Sequence, residues 1–107
     1  MLLSPKVRAL HWTSHSRAKM RHYGLSEQRI KRVLYSPLRI EEGIAPKTIA
    51  FMQVAGSIKN PHEIWVMVQD MASKRKVISA WRYPGKTKLG VALDASTLRE
   101  LKSLAGV

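Results

Sequence analysis

Up to Tyr35 the apolar positions of the chain recur mostly three and four residues apart. Beyond Pro37 they alternate with polar ones, and this change of period separates a helical part from a sheet part. Val7, Ala9, Leu10 and Trp12 read as a short strand or extended lead-in, closed by Thr13 and Ser14. Ser14 is placed to cap a helix from His15 to Tyr23, and Gly24 to end it, since a residue without Cβ suits the left-handed conformation that closes helices. On this helix Met20 and Tyr23 share one face while His15, Lys19 and His22 form a second stripe. Ser26 caps a second helix with Ile30, Val33 and Leu34 as its apolar stripe. Ser36 and Pro37 end it, because proline disfavours helical backbone in the residue before it.

Four strands follow: Leu38 to Glu42, Thr48 to Val54, Glu63 to Gln69 and Lys76 to Tyr83. The run Ile64-Trp65-Val66-Met67-Val68 is apolar on both faces, which predicts a central strand. In the last strand Val77, Ser79, Trp81 and Tyr83 are expected on one face, and Ile78, Ala80 and Arg82 on the other. Pro84 and Gly85 break it, Lys86 to Gly90 form a basic loop, and a final helix starts at Asp94 or Ser96, burying Leu98, Leu101 and Leu104. The expected architecture is α+β: an N-terminal helical hairpin packed on a four-stranded antiparallel sheet (a β-meander), with a C-terminal helix. At 107 residues the chain has the size of a single domain, 1–107.

Composition adds one strong fact. Nineteen Lys and Arg against seven Asp and Glu give a formal net charge of +12, while the 45% hydrophobic content is too high for a disordered basic tail. A folded domain carrying this much self-repulsion implies an anionic partner, for which RNA is the first candidate. The absence of cysteine excludes disulfides, thiolate catalysis and Cys-based zinc sites. No apolar run approaches the ~20 residues of a membrane span, and Ser4, Pro5 and Lys6 cut off the apolar start, so the expected location is cytoplasmic, with no membrane partner.

Two segments combine this charge with chemistry. The first, from His11 to Tyr23, holds three imidazoles and three cations; an imidazole can move protons near neutral pH, and adjacent cations can hold a scissile phosphate. His15 is the candidate base or acid, Lys19 a phosphate ligand, and Arg17 and Arg21 accessory contacts. A metal is not expected: His11 and His15 straddle the helix start, no carboxylate precedes Glu27, and His62-Glu63 lacks the second histidine of a zinc-protease motif. The second segment ends the last strand, where Arg82 can hold phosphate through paired N–H donors and Tyr83 can stack a base. Lys74, Arg75 and Lys76 would steer phosphates toward either. No cofactor is implied. The same cations would equally serve a non-catalytic RNA- or DNA-binding module.

The order of elements resembles the RelE-like and barnase/colicin-like toxin superfamily: N-terminal helices followed by a curved antiparallel sheet. The opening looks like a domain family of that group marked by H-x3-R-M-x2-R-G-[IL]-S, matched here by His15, Lys19, Met20, Gly24, Leu25 and Ser26. Lys19 stands for one arginine of the motif and Tyr23 for the other. The resemblance covers roughly residues 11 to 83. It implies a metal-independent ribonuclease toxin of a toxin–antitoxin module, held in check by an acidic antitoxin, with His15 as the motif histidine. Arg82 corresponds by location to the basic residues at the sheet end of such toxins.

Overall fold

Thr13, one residue before the expected cap, starts the first helix. Its hydroxyl accepts from the Ser16 backbone N–H at 3.0 Å and donates to the Val77 carbonyl at 2.8 Å, so one side chain both caps the helix and fastens it to the sheet. Ser14 is thereby the first helical residue. The computed structural model describes residues 9–43 and 46–88. Its elements are β1 (Ala9–Trp12), α1 (Ser14–Tyr23), α2 (Glu27–Tyr35), β2 (Arg39–Glu42), β3 (Thr48–Gly56), β4 (Pro61–Asp70) and β5 (Lys74–Pro84). The helix expected from Asp94 or Ser96 lies outside the described residues.

Gly24 ends α1 at φ 67°, its N–H returning to the Arg21 carbonyl. Two residues later the Ser26 hydroxyl accepts from the Arg29 N–H at 3.0 Å and opens α2. Leu25, just before that cap, and Ile30, in the first turn, are both buried in one cluster and set the angle at which the chain enters α2. Ile30 and Val33 are fully buried, each contributing roughly 1.5–3 kcal/mol by its removal from water.

The sheet has the order β1-β5-β4-β3-β2. β2 to β5 form the expected antiparallel meander, with the doubly apolar β4 in the middle. The expected four-stranded antiparallel sheet is, however, a five-stranded mixed one: the lead-in segment pairs in parallel with β5, from Ala9 opposite Lys74 to Trp12 opposite Val77. A strand's alternation shows that it is a strand but not which edge it will join.

A second correction concerns β5. Met67 pairs with Ser79 but Val68 pairs with Val77, so Ile78 is an extra residue and the alternation reverses there. Val77 consequently joins Ala80 in the cluster beneath the helices, with Phe51, Ile64 and Val66. Ile78 joins Trp81 on the other face, with Ala50, Met52, Trp65 and Met67. There the rings of Trp65 and Trp81 lie parallel, 6° apart, with centroids 6.0 Å apart. The Arg39 guanidinium sits 5.1 Å from the Trp65 ring and forms an ion pair with Glu41. Among the described residues, no helix is long and apolar enough to cross a membrane.

Candidate nucleic-acid interface

α1 lies alongside β5, and three contacts mark the seam. Near its start, Thr13 holds the Val77 carbonyl. One step on, His15 Nε2 lies 3.4 Å from Ser79 Oγ. At the far end the Tyr23 carbonyl accepts from Arg82 Nε at 2.8 Å. Eight residues of helix advance about 12 Å and three of strand about 10 Å, so the two elements keep pace over the length that carries the candidate chemistry. Lys19 stands one turn beyond His15, its Nζ 5.9 Å from the centre of the Tyr23 ring. His15, Lys19 and Arg82, read from the sequence, therefore all lie along the α1–β5 contact, although the register sets Ser79, opposite Met67, and Arg82, opposite Ile64, on different faces of β5. His15 and Arg82 occupy the two ends of that contact, about 10 Å apart along the strand, and do not meet.

Arg82 pairs across the sheet with Ile64, which places it on the helix-covered face. Besides the Tyr23 carbonyl it engages His62, with Nη1 2.8 Å from Nε2. A guanidinium can only donate, so Nε2 is the acceptor and the ring proton sits on Nδ1. Gly56 makes this position possible: at φ 83°, a Cβ there would lie 2.7 Å from His62 Nδ1 and 2.5 Å from the Asn60 carbonyl.

Across the same face Arg29 reaches from α2 to Gln53, Nη1 donating to Oε1 at 2.5 Å. The Gln53 amide in turn donates to the carbonyls of Arg32 and Ser36 at 2.9 and 2.8 Å, fastening the end of α2 to β3. Gln53, Ile64 and Arg82 form a single row over three strands. Burial, then the charges of Arg32 and Arg82, hold the Arg29 guanidinium below the ordinary arginine value. Among the described residues no carboxylate stands within ion-pair distance of Arg29, Arg32 or Arg82. His62 and Arg29 were not among the candidate residues of the sequence. The usable signal for His62 was strand parity, two residues before Ile64; for Arg29 there was none, because its neighbour Gln53 comes from another element.

The remaining candidates are dispersed. Arg17 pairs with Glu27 at 3.0 Å and covers Trp12 at 5.7 Å. Arg21 is exposed and lines, with Arg17, Met20 and Glu27, a groove of ≈ 450 Å³ at the turn between the helices. Arg75 forms a two-point pair with Asp70, at 2.6 and 2.9 Å, and lies 5.0 Å over the Phe51 ring. Its charge is thus bound into the fold. Lys74 and Lys76 flank it at the start of β5, roughly 20 Å along the strand from Arg82. Tyr83 is half-buried against the tryptophan cluster, pairs with Glu63, and alternates to the face away from Arg82.

Comparison of the chain with protein-family models, curated proteins and solved structures gives no match.

Proposed function

We propose that this domain binds RNA along the α1–β5 seam and cleaves it without a metal ion or cofactor. It would act as a cytoplasmic toxin of the RelE-like kind, neutralised by an acidic antitoxin. The observation that carries the reading is His15 Nε2 at 3.4 Å from Ser79 Oγ, with Lys19 one helical turn farther along α1 and Arg82 three residues farther along β5. The net charge of +12 supports the polyanion.

In this mechanism the Ser79 hydroxyl orients the His15 ring, which takes the proton of a ribose 2′-hydroxyl. The 2′-oxygen attacks the adjacent phosphorus, the bond to the 5′-oxygen breaks as that oxygen takes a proton from water, and a 2′,3′-cyclic phosphate results. Lys19, one helical turn from His15, carries the charge that develops on the reacting phosphate. Arg82, some 10 Å away, holds a different phosphate of the same strand and so fixes its register.

The test is RNA incubated with purified protein and a chelator. Wild type should leave 2′,3′-cyclic phosphate ends; His15→Ala should abolish cleavage while binding persists, and Arg82→Ala should weaken binding. The second reading, a non-catalytic RNA- or DNA-binding module, is favoured by the separation of His15 from Arg82. Absence of cleavage on varied RNAs and on ribosomes, with binding retained, would decide for it.

A further inference from the structure

Arg29, His62 and Arg82 come from α2, β4 and β5 and are gathered on the helix-covered face at one end of the sheet. Their arrangement is built rather than incidental. Gln53 fixes the Arg29 guanidinium at 2.5 Å, and the Tyr23 carbonyl and His62 fix that of Arg82, each at 2.8 Å. Ile64 lies between Gln53, which holds Arg29, and Arg82 in the cross-strand row. Assembling like charges costs free energy, which a neighbouring carboxylate would offset. Elsewhere this chain supplies one: Glu27 to Arg17, Glu41 to Arg39, Asp70 to Arg75. Here, among the described residues, it supplies none, and Arg29 carries the effect, its charged form disfavoured by burial and by the cations around it.

We propose that Arg29 and Arg82, with His62 aligning Arg82, bind a phosphate group of the RNA chain at a position distinct from the one attacked at His15. The assignment rests on the RNA-binding reading only for the origin of that phosphate. Within the described residues Nη2 of each arginine makes no hydrogen bond, and each guanidinium is held by neutral acceptors. The pair therefore presents oriented donors whose charge no carboxylate among the described residues offsets. The phosphate supplies the counter-charge that the protein withholds.

Calorimetric titration of the full chain with inorganic phosphate at constant ionic strength tests the site. Wild type should bind saturably; Arg29→Gln and Arg82→Gln should each weaken binding roughly tenfold or more, the loss of a charge-assisted hydrogen bond, while Lys47→Gln, exposed at the opposite end of the sheet, should not. The ¹⁵N imidazole signals of His62 should move on titration and those of His22 should stay. If Arg82→Gln does not fold, Arg82→Lys, which keeps the charge and loses the fork, should show the same weakening. His15→Ala should retain phosphate affinity even when cleavage is gone, so loss of the ribonuclease reading leaves this site standing. Undetectable binding by wild type, or binding by both glutamine variants as tight as that of wild type, overturns the site. Phosphate that binds without competing with an oligoribonucleotide overturns its assignment to RNA.

Discussion

Glu63 and Thr87 are joined twice: the Thr87 hydroxyl donates to Oε1 at 2.7 Å and its backbone N–H to Oε2 at 3.2 Å. The carboxylate, 2% exposed, also accepts from Trp65 Nε1 at 3.0 Å and faces the Arg39 guanidinium at 3.6 Å. These bonds fold the segment after β5 back over the tryptophan face. Glu63→Gln keeps the shape but removes the buried charge that balances Arg39 and turns an amide toward donors. A loss of about 3 kcal/mol is expected in urea unfolding.

The two stacked tryptophans should respond differently to the same change. Trp65 donates to Glu63, whereas the Trp81 indole N–H is buried with no hydrogen-bond partner. Each Trp→Phe substitution loses similar volume, but only Trp65→Phe also breaks a bond to a charged acceptor. Trp65→Phe should therefore be more destabilising by roughly 1–2 kcal/mol, measured as the difference in unfolding free energy between the two variants.

Thr13 holds both the first turn of α1 and the seam. Thr13→Ala removes the bond from Ser16 N–H and the one to the Val77 carbonyl and should cost about 2 kcal/mol, whereas Thr13→Ser, which keeps the oxygen, should recover most of it. Equal stability of the alanine and serine variants would mean that the hydroxyl carries no part of the docking.

Two glycines with positive φ separate backbone strain from crowding. A Cβ at Gly24 meets nothing within 4 Å, so Gly24→Ala should cost only the left-handed penalty, about 1–2 kcal/mol. At Gly56 the added methyl collides with the Asn60 carbonyl and with His62. Gly56→Ala should be clearly worse in thermal unfolding and should shift the imidazole signals of His62.

Arg75 and Lys19 should divide stability from binding. Arg75→Ala breaks the pair with Asp70 and uncovers Phe51, so it should lower stability more than RNA affinity. Lys19→Ala should do the reverse and reduce the salt dependence of RNA binding by about one phosphate contact, read from the slope of log K against log salt.

The helices and the meander are legible in the sequence because each is announced locally: a cap, a stripe at Ile30 and Val33, a turn at Gly56, an apolar run at β4. The pairing of β1 with β5 is not, since it joins segments 65 residues apart whose alternation fits more than one partner. The reversed faces of β5 follow from one extra residue, Ile78, that leaves no compositional trace. His15, Lys19 and Arg82 are found by residue type and lie along the contact of α1 with β5. Arg17 and Arg75 are of the same type but sit opposite Glu27 and Asp70, pairings that charge counting does not reveal. Arg29 and His62 become visible only through the row Gln53, Ile64, Arg82, which is a property of strand register.

The docking of α1 on β5 also orders events in time. Thr13 and His15 meet Val77 and Ser79 across 64 residues of chain, and β5 is synthesised after every other described strand. The helix that carries His15 has no sheet edge to rest on until β5 has left the ribosome and paired with β4. A chain interrupted before residue 74 can form helices but cannot assemble the seam. In the proposed role, chemistry at His15 would have to wait until the last described strand has emerged and paired.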